Sequence, residues 1–174
     1  MSAFRGRSGL SVLELLLSVG LLLILAAVAF WAIDPIERQR QERDQRRLED
    51  LESLWQAIEA EIAAGNPLGS TFGVPSGTAG VEVSFNPDGS GWIPMNLARY
   101  FPSLPADPRN DTTFTDFLGS KILGEYQFIS DGRNYVLRTH LEAEANRDKY
   151  AQDGNDNTWY EVGTAPGMST YFGL

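Results

Sequence analysis

The chain has 174 residues, 14 basic against 23 acidic, with a net charge of −9, one histidine and no cysteine. That length accommodates one domain of ordinary size plus an anchor. Its acidity argues against a direct nucleic-acid ligand, whose phosphates demand a basic patch, and the missing cysteines exclude disulfides and thiol chemistry.

Arg5 and Arg7 open the chain with positive charge, and an apolar run follows them. From Leu10 to Ile33 there are 24 residues, of which Glu14 alone is charged. As a helix this run is about 36 Å long, enough to cross a hydrocarbon core of about 30 Å. A carboxylate inside such a run costs up to roughly 3 kcal/mol at mid-bilayer, so Glu14 needs a reason. The upstream arginines hold that end in the cytoplasm, and without a second apolar run the chain crosses once, with its C-terminal part outside. Two plainer readings compete. One is a secretory signal peptide with Ala27-Val28-Ala29 as its cleavage site, although a Glu in the apolar stretch and the length of the run speak against it. The other is a single-span anchor carrying an exported binding domain that does not polymerise.

The order Arg5, Arg7, Gly9, Leu10, Glu14 and then the apolar run resembles the class III leader of type IV pilins and type II secretion pseudopilins. In that family a membrane-embedded prepilin peptidase cuts after the Gly that ends a short basic leader, and the mature chain carries Glu as its fifth residue. The resemblance implies a leader of residues 1–9, cleavage between Gly9 and Leu10, N-methylation of Leu10 and a role for Glu14 in filament assembly. Leu10 stands where the family usually has Phe. Glycine before the cut also lets a protease approach the backbone closely. Loss of Arg5 and Arg7 moves the net charge from −9 to −11.

Residues 10–33 form the membrane or filament-core helix, and residues 34–65 continue it with a different character. Asp34-Pro35 predicts a kink or a restart, because Pro35 lacks an N–H and clashes with the preceding turn. Residues 37–52 are dense in charge, read either as a solvated face laced with pairs such as Glu42–Arg46 or as charges matched between subunits. Leu48, Leu51, Trp55, Ile58 and Ile62 then recur at helical spacing and predict the buried stripe. Gly65-Asn66-Pro67 should end the helix.

Residues 66–174 form the exported domain. A glycine- and proline-rich loop covers 66–80, and Val81, Val83 and Phe85 alternate with polar residues as a half-buried strand. Asn96–Phe101 reads as one helical turn, and Leu104–Asp111 as a proline-fixed connector. Tyr126–Ile129 and Tyr135–Leu141 are the best strands, joined by a five-residue loop around Asp131-Gly132, with Trp159–Val162 as a last strand. The expectation is an α+β, pilin-like fold, with a long N-terminal helix packed on a small antiparallel sheet. The Leu-Pro-x-Asp-Pro connector, Ser-Asp-Gly-x-Asn-Tyr and the acidic loop before Tyr-Glu-Val-Gly are similar to the cysteine-poor, type II secretion-like pilins.

His140 reads as a surface or packing residue, and no nucleophile motif or phosphate-binding glycine loop is present, so no enzyme is expected. Asp153, Asn155, Asp156 and Asn157 concentrate the oxygen ligands that calcium takes, and the family resemblance implies a calcium loop near the C-terminus. The competing reading is a solvated turn. The sequon Asn110-Asp111-Thr112 is a chance-level match. The resemblance further implies self-association into a homopolymer, other pilin-like subunits, and an assembly platform protein with its ATPase as partners.

Overall fold

The computed structural model describes residues 11–71, 75–80, 82–152 and 158–167, without the side chains of residues 31–33. The fold is α+β: long N-terminal helical structure, apolar in its first part, and a small antiparallel sheet. Two compact units divide the chain, Met1–Arg38 and Gln39–Leu174.

In the first unit, α1 spans Val12–Ile33, and Ser11 caps it by accepting a hydrogen bond from the Glu14 N–H at 3.2 Å. Leucines and alanines lose little rotamer freedom in a helix, so this composition propagates readily. Asp34 ends α1 in the left-handed region at φ 38°. The same residue starts α2, Pro35–Ala63, because its carboxylate accepts from the Glu37 N–H at 3.2 Å. Pro35 occupies the first helical position, where its missing N–H costs nothing. The restart expected at Asp34-Pro35 is therefore present.

In the second unit, α2 turns a narrow face inward, and the buried positions are Asp44, Arg47, Leu51, Leu54, Ala57, Ile58 and Glu61. The expected stripe shares only Leu51 and Ile58 with this face. Leu48, Trp55 and Ile62 lie along its flank, half-buried. The helix stops as expected: Gly65 has φ +86°, its N–H bonds the Ile62 carbonyl, and the Asn66 N–H bonds that of Glu61. This double closure satisfies carbonyls that the last turn would otherwise leave open.

The main sheet has four strands lying side by side in chain order, with every neighbouring pair antiparallel. Its strands are β1 Ser76–Gly77, β4 Tyr126–Ser130, β5 Tyr135–Thr139 and β6 Tyr160–Gly163. Tyr126, Phe128, Tyr135 and Leu137 face Leu51, Leu54 and Ile58 of α2 in one apolar cluster. Each such side chain fully removed from water contributes about 1.5–3 kcal/mol. The opposite face buries Ile129 and Val136, with Ala165 packed on them.

Phenols and carboxylates join helix to sheet beside this core. The Tyr126 hydroxyl donates to Asp50 at 2.8 Å, and that of Tyr135 to Glu59 at 2.8 Å. Burial raises both phenols above their ordinary value, and each carboxylate partner adds to the rise. The β4–β5 loop is one residue shorter than expected, since Ser130 pairs with Tyr135. Asp131 shapes it by accepting the N–H groups of Arg133 and Asn134 at 2.8 and 2.7 Å, and Gly132 supplies φ +88°.

The expected strand at 81–85 is not one. Val81 lies outside the described residues, and 82–85 run irregularly, with Val83 and Phe85 half-buried against the core. The edge position goes instead to Ser76–Gly77, inside the segment read as a loop. A Cβ on Gly77 would lie 3.0 Å from the Tyr126 carbonyl, so the absent side chain permits the pairing. A second, two-stranded sheet, β2 Thr113–Thr115 with β3 Lys121–Leu123, and a 3-10 helix, Glu144–Ala151, were also not anticipated. Asn96–Phe101 does close a single helical turn, through Phe101 N–H to the Leu97 carbonyl.

Candidate functional site

The first unit is defined by what α1 leaves uncovered. Its large apolar side chains, from Val12 at 76% to Phe30 at 70% exposed, point in all directions, and none of its most apolar stretch is buried within the chain. A helix apolar all round belongs to a core or a membrane, and in water each exposed Leu would forgo about 1.5–3 kcal/mol. At about 1.5 Å per residue its 22 residues span about 33 Å, so α1 is long and apolar enough to cross a membrane. Gly20 leaves an open apolar groove of about 400 Å³ between Leu13, Leu16, Leu17, Leu21 and Ile24.

Glu14 sits in the first turn of α1, exposed. Its N–H is held by Ser11, and its carbonyl accepts from the Ser18 hydroxyl at 2.5 Å. Ser11 and Glu14 have the capping-box spacing, and a carboxylate there faces the positive end of the helix dipole. That spacing is visible in the sequence. Gly9 and Leu10 lie outside the described residues.

The second unit holds a buried ionic cluster in the stretch whose charges read as solvated or as matched between subunits. Asp44 and Arg47 are both fully buried. Arg47 grips Asp107 through two bonds, Nε at 2.7 Å and Nη2 at 3.0 Å, and its Nη1 reaches Asp44 and Glu142, each at 2.8 Å. Arg43 makes a second fork onto Glu142 at 2.8 and 2.6 Å. The Phe114 ring covers Arg47, whose guanidinium carbon lies 4.9 Å from the ring centroid. Asp44 meanwhile accepts the N–H groups of Glu142 and Ala143 at 2.8 and 2.9 Å, and the Asn146 amide at 2.9 Å. It thus holds the segment that leads into the 3-10 helix, and ties in the helix itself through the Asn146 side chain.

Burial alone would lower the Arg47 value, but the bonds and charges of Asp107, Glu142 and Asp44 raise it above the ordinary arginine value. Burial works to raise Glu142, yet Arg43 and Arg47 outweigh it and hold the carboxyl below the ordinary glutamate value. Charged residues at helical spacing on a stripe are the signal that could have found this site. Stepping back from Leu51 by four and then three residues lands on Arg47 and Asp44.

His140 is buried, its ring centroid 3.6 Å from that of Trp159 with the two planes tilted by 33°, and Arg138 lies over the same indole at 4.2 Å. It is therefore a packing residue. In the sequon, the Asn110 amide already donates to the Thr78 carbonyl at 2.7 Å, and Asp111 takes φ 58° while accepting from Gly80 N–H at 2.8 Å. These bonds give the segment a structural role. The candidate calcium ligands Asp153, Asn155, Asp156 and Asn157 lie outside the described residues. Among the described residues, no group of three His, Asp or Glu side chains is arranged to hold a metal ion, and the carboxylates that do converge are filled by Arg47.

A cleft of about 560 Å³ opens at the C-terminal end of α2, lined by polar side chains including Glu61, Asn66, Asp88, Asn96 and Arg99. No family model, curated protein or solved structure matches this chain.

Proposed function

We propose that the chain is a structural subunit of a type IV pilus-like or type II secretion pseudopilus filament. The observation that carries this reading is α1, an all-round apolar helix with one carboxylate in its first turn, preceded by Arg5, Arg7 and Gly9. On this reading the precursor is a single-pass protein of the cytoplasmic membrane with its C-terminal domain outside. Prepilin peptidase removes residues 1–9, Leu10 becomes the N-methylated terminus, and a platform protein with its ATPase feeds subunits into the filament. There the apolar faces of α1 exchange lipid for helix contacts with copies of this chain and other pilin-like subunits. A second reading is a single-span anchor holding an exported binding domain, in which Glu14 only faces the positive end of the α1 dipole from its first turn.

The mass of the mature N-terminus tests the proposal. Cleavage after Gly9 is expected, whereas an intact Met1 would establish the anchor and Phe30 as first residue a secreted form. Gly9→Ala should be cut slowly and the bulkier Gly9→Val should stay uncut. Full processing of Gly9→Val on a gel would count heavily against the peptidase.

Calcium is the cofactor that the acidic loop suggests. A ligand bound only by the folded state stabilises it by mass action. Calcium is therefore expected to raise the melting temperature of the exported domain and chelator to lower it, through Asp153, Asn155, Asp156 or Asn157. Identical melting curves in saturating calcium and in chelator would remove calcium from the account.

A further inference from the structure

α2 is fastened to its domain by two different kinds of interaction along its length. From Leu51 onward it is held chiefly by apolar burial, through Leu51, Leu54, Ala57 and Ile58, with the Tyr135–Glu59 bond beside them. Between Gln39 and Asp50 the only fully buried residues are Asp44 and Arg47. That half is joined to Asp107 of the connector and to Glu142, Ala143 and Asn146 by ion pairs and charge-assisted hydrogen bonds. Apolar burial does not titrate, whereas a buried ion pair depends on the charge of both members.

We propose that the Asp44–Arg47–Asp107–Glu142 cluster is a releasable clasp. In acid it frees the N-terminal half of α2 and the strap 141–152 from each other while the helix-on-sheet core stays folded. The inference stands whether or not the chain polymerises.

The groups that bear on the titration can be named. Arg43, Arg47 and, at 3.8 Å, Arg109 face Glu142. Arg47 faces Asp44 and Asp107, with Asp50, Glu125 and Tyr126 felt at Asp107, and Tyr150 close to Asp44 and Asp116. Glu142 is depressed in the folded state. Its contribution is therefore complete above the unfolded glutamate value of about 4.3 and is lost as pH falls through the lower folded value. Asp50 and Glu125 run the other way: burial raises both, so their protonation relieves a cost as acid opens the clasp. As Glu142 is neutralised, Arg47 loses a counter-ion inside a buried site, and exposure is its cheapest remedy.

Hydrogen–deuterium exchange on the full chain in phospholipid bicelles, corrected for intrinsic rates at each pH, tests this. Between neutral pH and about pH 3.5, protection in 39–47 and 141–152 should fall about tenfold or more, while 54–61 and 126–139 keep theirs. Asp44→Asn should reproduce the selective loss at neutral pH, and Glu59→Gln, in the apolar half, should not. The inference is overturned if both sets of amides lose protection together in acid, if the clasp segments hold until the core unfolds, or if Asp44→Asn exchanges like the native chain or loses protection everywhere.

Discussion

Arg47→Ala should destabilise the 39–174 unit by about 3–5 kcal/mol, the expected loss when one member of a buried ionic network is removed. The guanidinium is fully buried and is the shared partner of Asp44, Asp107 and Glu142. Without it those carboxylates stay in a site that Phe114 shields from water, with Arg43 and the more distant Arg109 left to neutralise Glu142. Chemical denaturation followed by tryptophan fluorescence would read the loss directly. Arg47→Met keeps most of the side-chain volume and removes the charge, so it should be nearly as damaging as Ala. Near-native stability of the Met variant would show that packing matters at this position and charge does not. Arg43→Ala provides the scale. Its side chain is 27% exposed and makes only the outer fork, so water can replace part of what is lost and the cost should be about 1 kcal/mol.

The second large effect concerns assembly and follows from the proposed filament. Glu14→Ala, as the only copy, should still insert in the membrane and still be cut, yet form no filaments. Cleavage after Gly9 would give Leu10 a free α-amino group, a positive charge that the precursor lacks. In a filament the Glu14 carboxylate could meet the amino group of an incoming subunit where water is scarce and attraction strong. Processing would thus create the partner that makes the carboxylate tolerable. Glu14→Gln removes the charge with little change in shape and should behave alike. An anchor predicts something different, since Glu14→Ala would then remove only a charge–dipole interaction of about 0.3–1 kcal/mol at the start of α1 and leave everything else intact. Electron microscopy of cells carrying Glu14→Ala, with processing checked by mass, separates the two. Normal filaments would end the proposed role.

Much of the fold was legible where the signal is local. The break at Asp34-Pro35, the helix end at Gly65-Asn66 and strands β4, β5 and β6 each rest on a few adjacent residues whose backbone preferences act alone. The strand misread at 81–85 shows the limit of that logic. Val83 and Phe85 do face the core, but alternation reports which side chains are half-buried and not whether a strand lies alongside to pair with. Ser76–Gly77 has no periodicity to betray it, and it pairs because a glycine fits beside the Tyr126 carbonyl. The short β2–β3 hairpin is equally silent, held by Asp116, which accepts the Leu118 and Ser120 N–H groups of its loop at 3.0 and 2.8 Å.

By itself the sequence determined the apolar first helix, its lone Glu14, the restart at Pro35 and the amphipathic second helix, because composition and 3.6-residue spacing are properties of the chain before it folds. Only the tertiary structure decided which side of α2 faces inward. That choice depends on partners distant in sequence: Asp107 lies 60 residues from Arg47, and Glu142 lies 99 from Arg43. An arginine in a charged run is equally consistent with water on every side and with a buried fork. The free energy that distinguishes them comes from carboxylates that local spacing cannot locate.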